Sequence, residues 1–148
     1  MILDGTNKYR QAWHYSNATE DFLKSMLIGN TLEVCCGISR LGDTTLDIDK
    51  NLKPDILGDM EEINNLVSPL SYDTILWDAP FTWYYKLKNY TSTLKKMVGI
   101  ARKRIIVVGS NLFAPGVKGW RRSLYWGVQE ANTRVRFVWI YDRTDEPL

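Results

Sequence analysis

The stretch that most constrains this chain is Thr31 to Asp49, TLEVCCGISRLGDTTLDID. Thr31 to Cys35 is short, β-prone and bounded by Gly29 and Asn30 before it and Gly37 after it, so it reads as a strand running into a sharp turn. Thr44 to Ile48 is a second run of the same kind, with acids at its end. The ten-residue step from Gly37 to Asp47 leaves room for a turn but not for a full helix. A glycine turn at the carboxyl end of a parallel strand lets backbone approach a ligand, because no Cβ intervenes. An acid at the end of the next strand can accept hydrogen bonds from a ribose diol, the general arrangement for nucleotide-type ligands on open α/β sheets. An ordinary strand–turn–strand in a core has the same signature, so a second motif must decide between them.

That second motif lies further on. Tyr72 to Trp77 is an apolar strand that runs directly into Asp78-Ala79-Pro80-Phe81. This turn resembles motif IV of the amino-methyltransferases, and the resemblance implies the following chemistry: an amino group on an aromatic base is a poor nucleophile, because its lone pair is delocalised into the ring. A carboxylate and a backbone carbonyl accepting its two hydrogens push the nitrogen toward tetrahedral geometry. A proline stiffens the turn that presents them, and an aromatic ring such as Phe81 can stack on the base. Thr82-Trp83-Tyr84-Tyr85 comes next, with Lys86 and Lys88 beside it. Aromatic clusters are more often core than ligand, but this polar context suits a lip that stacks on an unpaired base.

The chain of 148 residues suits one domain, residues 1–148, built on a single core. There is no internal repeat, linker or low-complexity segment. No apolar run approaches the roughly 18 residues that span a bilayer, and the first ten residues lack the form of a secretory signal. The expectation is an intracellular, cytoplasmic protein with no membrane partner. Cys35 and Cys36 are adjacent, point to opposite faces of a strand and make a poor disulfide. His14 is the single histidine, so no metal site is expected. Net charge is +2 but uneven: residues 1–85 carry −7 and residues 86–148 carry +9. A basic half rich in arginine and aromatic residues suits a polyanion, and nucleic acid is the expected partner.

The remaining elements are read from periodicity. Phe22, Leu23, Met26 and Leu27 recur at helical spacing after a capping Ser16, Asn17 or Thr19. Ile56 to Asp59 reads as a short strand ending in an acid, and Asp59 can also cap a succeeding helix. Tyr90 to Lys103 fits a helix, Ile105 to Val108 a strand buried on both faces, and Arg134 to Tyr141 a final strand. Trp120 to Ala131 reads as a helix carrying Arg121 and Arg122. Only one good terminal strand is then visible, so the carboxyl-terminal end of the sheet is expected to be abbreviated.

LEVCCGIS resembles motif I of class I S-adenosylmethionine-dependent methyltransferases, and Asp78-Ala79-Pro80-Phe81 resembles motif IV of their amino-methyltransferase members. The resemblance implies a three-layer Rossmann-like α/β fold, mostly parallel, with helices on both faces. Glu33 falls on the family's acid, which reaches the methionine end of the cofactor. Gly37 falls on the middle glycine, while Cys35 and Ser39 replace the outer two. Asp47 falls on the ribose acid, and Asp59 and Met60 on a pair that meets the adenine ring. Trp13, His14 and Tyr15 fall where a leading segment covers the methionine end, although an isolated histidine is more readily a structural one. Ala79 replaces the first proline of the second motif.

The resemblance further implies an enzyme that moves a methyl group from S-adenosylmethionine to an exocyclic amino nitrogen of a nucleic-acid base, with adenine N6 in DNA ahead of RNA. The alternatives are a protein side chain or a small amine as acceptor, or a nucleic-acid-binding domain that no longer binds the cofactor. The site would comprise Asp78, Pro80 and Phe81 at the chemistry, and Glu33, Cys35, Gly37, Ser39, Asp47, Asp59 and Met60 around the cofactor. Trp83, Tyr84, Lys86, Arg121 and Arg122 would meet the substrate. With no room for a separate recognition domain, sequence choice falls to loops or to a second subunit.

Overall fold

The computed structural model describes residue 15 and residues 17–79, 87–109, 114–129 and 134–144. The elements run α1 (Asn17–Met26), β1 (Thr31–Val34), β2 (Thr44–Asp47), β3 (Ile56–Leu57), α2 (Ile63–Leu66), β4 (Tyr72–Asp78), α3 (Leu87–Ile100), β5 (Ala101–Gly109), β6 (Trp120–Gln129) and β7 (Arg134–Arg143). Short 3-10 turns at Lys50–Leu52 and Met60–Glu62 precede β3 and α2. The seven strands form one sheet in the order β3-β2-β1-β4-β5-β7-β6. The first five in that order pair in parallel, and β7 is antiparallel to both β5 and β6. Among the described residues no helix is long and apolar enough to cross a membrane.

The central strands divide the core by residue parity. Ile75 and Trp77 of β4, with Ile105 and Val107 of β5, pack against Ile63 of α2 and Tyr90, Leu94, Met97 and Ile100 of α3. The Trp77 and Tyr90 rings stack with centroids 5.1 Å apart. On the other face Leu76, Ile106, Val108, Val138 and Ile140 meet Tyr15 and the Phe22 and Leu23 side chains of α1. The interior of β4 is thus apolar on both faces, as expected for a central parallel strand. Each fully buried side chain of this kind contributes about 1.5–3 kcal/mol.

Three expectations about the carboxyl-terminal half need correcting. The sequence pattern predicts a helix over residues 120–131; instead β6 pairs along its whole length with β7, from Trp120 opposite Arg143 to Gln129 opposite Arg134. Aromatic and apolar side chains occur on both faces of β6, which hides the period of two. Leu124 and Trp126 lie on one face, and Tyr125 packs near Phe22 on the other, ring centroids 5.2 Å apart. The sheet is therefore not abbreviated at this end. Likewise α3 stops at Ile100, and β5 already begins at Ala101.

The shortening falls between β1 and β2, where residues 35–43 fold back over β1. Glu33 Oε2 accepts the Leu41 and Gly42 N–H groups at 2.7 and 2.9 Å, and Asp43 Oδ2 accepts the Thr31 N–H at 2.8 Å. The Arg40 guanidinium donates to the carbonyls of Gly37, Ser39 and Leu52, tying this turn to the next. The loop lies so close to the strand that a Cβ on Gly42 would stand 2.8 Å from Glu33 Cβ and 2.9 Å from its backbone nitrogen. Gly99 in α3 faces open space. Gly42→Ala should therefore destabilise the fold by about 1–3 kcal/mol through overpacking, while Gly99→Ala should stabilise it by about 0.4–1 kcal/mol. Urea denaturation of the two variants checks both signs.

Candidate active site

Parallel strands place their carboxyl ends on one edge of the sheet, so the residues just past β1, β2, β3 and β4 are neighbours. At the end of β1 the chain turns through two left-handed residues, Cys35 with φ 58° and Gly37 with φ 55°. Left-handed backbone costs a non-glycine residue about 1–2 kcal/mol, and Cys35 bears it where the motif it resembles has a glycine. The turn is held by β2. The Cys35 N–H donates to the Leu46 carbonyl at 2.8 Å, and the Gly37 N–H donates to Asp47 Oδ2 at 3.0 Å. Asp47 Oδ1 accepts the Asp49 N–H at 3.0 Å. Each Asp47 oxygen keeps a second lone pair for another donor.

Asp59 comes after β3 and caps the short turn beyond it, its Oδ1 accepting the Glu61 N–H at 2.9 Å. Met60 is buried, and its sulfur lies 3.4 Å from Cys35 Sγ and accepts from Trp77 Nε1 at 3.3 Å. The carboxylates of Asp78, Asp47 and Asp59 all act on the Cys35 thiol. Burial first, and then these charges, push it well above its ordinary range. Asp47 and Asp78 thus flank β1 on either side, on strands about 10 Å apart. They ring the turn without meeting at one point: among the described residues no three His, Cys, Asp or Glu side chains could hold a metal ion.

Asp78 ends β4 on the face shared by Leu76. Its carboxylate is 3.8 Å from an Arg136 nitrogen and accepts a hydrogen bond from the Tyr15 hydroxyl. Burial raises its pKa to about 6, Arg136 and the Tyr15 bond oppose that rise, and Glu33 adds to it. Glu33 is itself buried, and its Oε1 has no hydrogen-bond partner among the described residues; the same holds for the hydroxyl of buried Ser39. Ile38 and Ile48 are exposed aliphatic side chains at this edge, 45% and 69% accessible.

Sequence reasoning brings Glu33, Cys35, Gly37, Ser39, Asp47, Asp59, Met60 and Asp78 to one edge, and the structure places all eight there. Pro80, Phe81, Trp83, Tyr84, Lys86, Trp13 and His14 lie outside the described residues. Arg121 and Arg122 are not brought to this edge. Asp78 is level with Val108, Val138 and Tyr125, whereas Arg122 lies three residues earlier on β6, toward the opposite end and three strands away. Arg122 donates there to the Ala114 carbonyl. Arg136 is the residue that sequence reasoning missed. The signal was its place on the same face as buried Val138 and Ile140, where a cation needs a carboxylate.

No protein-family model and no curated protein sequence matches this chain. Solved structures do. One is 1,6-didemethyltoxoflavin-N1-methyltransferase from Burkholderia thailandensis with bound 1,6-didemethyltoxoflavin and S-adenosylhomocysteine, at TM-score 0.63, 11% identity and coverage of 87% of this chain and 78% of that one. Another is magnesium protoporphyrin IX methyltransferase from Synechocystis with bound S-adenosylmethionine, at TM-score 0.60, 13% identity and coverage of 84% and 78%. This chain has the class I S-adenosylmethionine-dependent methyltransferase fold. An rRNA methylase from Streptococcus thermophilus shares that fold at TM-score 0.54 and 12% identity, over 86% of this chain and 95% of that one.

The raised pKa of Asp78 sets a pH dependence for stability. A carboxyl group whose pKa is higher folded than unfolded stabilises fully below its ordinary range, and that contribution is lost as pH rises through about 6. Asp78→Asn cannot ionise, so it should melt at a higher temperature than wild type above about pH 6, with the gap closing below about pH 4. Thermal melts across that range check this; parallel curves contradict it.

Proposed function

We propose that the chain transfers a methyl group from S-adenosylmethionine to an amino nitrogen of a nucleic-acid base, with adenine N6 in DNA as the first acceptor to test. The observation that carries this reading is the ring of Asp47, Asp59 and Asp78 around the Cys35–Gly37 turn, at the strand ends of a methyltransferase fold.

The residues present fit the cofactor. Glu33 Oε1 is a buried acceptor in need of a donor, which an ammonium group on the methionine end supplies. Asp47 has acceptor capacity for two ribose hydroxyls, and Asp59 can accept from the adenine amino group. Exposed Ile38 and Ile48 offer apolar walls for a flat ring. When bound, S-adenosylmethionine supplies an electrophilic methyl on a positively charged sulfur, a charge favoured by surrounding carboxylates.

Asp78 accepts a hydrogen of the acceptor amine and must be ionised to do so with full strength. Its carboxylate orients the nitrogen lone pair and stabilises the positive charge that grows on nitrogen. The Ala79 carbonyl is next in the chain and is the second acceptor. Phe81, Trp83 and Tyr84 stack on the base, and Lys86 meets phosphate. The adenine assignment rests on the Asp78-Ala79-Pro80-Phe81 motif.

A second reading is favoured by where the basic residues lie. Arg102 and Lys103 pair with Asp73, Arg104 pairs with Asp142, and Arg143 donates to the Val98 and Ala101 carbonyls. All four belong to the amino-terminal end of β5 or the strand ends beside it, opposite the acidic edge. A free heteroaromatic amine needs no polyanion track, and it is the alternative acceptor.

Labelled methyl transfer to double-stranded DNA, single-stranded DNA, RNA and free adenosine, with nucleoside analysis, separates these. Label in N6-methyladenine from DNA supports the first reading, and label in the free nucleoside alone supports the second. No transfer to any of them, together with no calorimetric heat on adding S-adenosylmethionine, overturns both. Asp78→Ala should lower kcat about 10²–10³-fold and leave cofactor affinity unchanged; loss of both together would make Asp78 structural.

A further inference from the structure

We propose that Arg136 is the positioning residue for Asp78, reaching over β5 from β7 to balance the charge of the carboxylate while leaving its oxygens open to the acceptor amine. This inference rests on the reading of Asp78 as that amine's hydrogen-bond acceptor.

The sheet order explains the reach. Asp78 on β4 is level with Val108 on β5, and Val108 with Val138 on β7. Arg136 stands two residues from Val138 on the same face, toward the acidic edge. Its side chain crosses one strand and ends 3.8 Å from the Asp78 carboxylate. The side chains are 22% and 33% accessible, so the pair is shielded enough for its charges to matter and open enough for a ligand to reach it.

The distance is informative. At 3.8 Å the contact is an ion pair and not a hydrogen bond, which would need about 3.2 Å or less. Arg136 therefore stabilises the anion without occupying a lone pair. Tyr15 occupies one, and its hydroxyl bond fixes the rotation of the carboxylate. The other groups facing Asp78 are Glu33 on β1 and the Cys35 thiol at the end of that strand, and neither is cationic. Among the described residues, Arg136 is thus the cation that favours the ionised form of Asp78 against burial. Arg40, also near this edge, is engaged by backbone carbonyls.

Carbon-13 NMR titration of the Asp78 carboxyl, run beside the pH profile of methyl transfer, tests the assignment in wild type and in Arg136→Gln, Arg136→Lys and Tyr15→Phe variants. The wild-type midpoint should lie at about 6. Removing the cation in Arg136→Gln should raise it by about 1 unit or more, and Arg136→Lys should bring it part of the way back. Tyr15→Phe should raise it less. The kcat profile should move with the midpoint, while KM for S-adenosylmethionine stays the same. An Asp78 midpoint that does not move in Arg136→Gln overturns the inference, whatever happens to activity. A midpoint that moves in a protein that methylates no acceptor upholds the Arg136–Asp78 coupling and removes the acceptor reading instead. If Arg136→Gln does not fold, Arg136→Met, which also removes the cation, decides: an Asp78 midpoint equal to that of wild type overturns the inference.

Discussion

The parallel pairing of β1 with β2 on one side and β4 on the other is the constraint on which this structure depends. Leu32 to Val34 lies opposite Thr44 to Leu46 in one direction and Ile75 to Trp77 in the other. That register puts the ends of three strands at one height, so the Cys35–Gly37 turn stands between Asp47 and Asp78. A slip of one residue would turn Trp77 out of the core it shares with Tyr90, and it would turn Asp78 away from Arg136. Packing and site geometry are therefore fixed by the same pairing.

Concentrating carboxylates at that edge has a cost, and the fold offsets it locally. Asp47 is anchored by two backbone N–H groups, Glu33 by two more, and Asp78 by Arg136 and Tyr15. Burial still pushes Asp78 up to about 6, the expected outcome when desolvation exceeds the help from partners. At the other end of the sheet Asp73 shows the opposite balance. Arg102, the Asn30 N–H and Lys103 hold its carboxyl down at about 2. One end of the sheet is neutralised by close pairing, and the other keeps an acidic field suited to a cationic ligand.

Much of this is legible in the residues, and the failures have physical causes. The glycine turn, the acids at strand ends and the absence of a helix between Gly37 and Asp47 are local signals, and the structure places them as read. Glu33 shows how one residue carries two meanings. Its position in the motif points to a ligand, while the structure also uses Oε2 to clamp the short loop over β1. Residues 120–129 mislead because a strand with aromatic side chains on both faces has no visible alternation. Pairing with β7, a contact across the chain, decides the matter there. The basic second half is legible only in part: charge counts carry no positions, and Arg102, Lys103, Arg104 and Arg143 pin the far end of the sheet. Arg136 is legible only as an oddity, a cation on a core face, until the strand order supplies Asp78 as its partner.

Asp47 and Asp78 stand on either side of one turn, and the proposed reaction needs each to address a different reacting partner. A crystal structure of the chain with S-adenosylhomocysteine tests this most directly. The expected result is the ribose hydroxyls on the Asp47 carboxylate, with the sulfur over Cys35 and its open side toward Asp78. A ligand bound at another edge of the sheet, or with its sulfur turned away from Asp78, would contradict it.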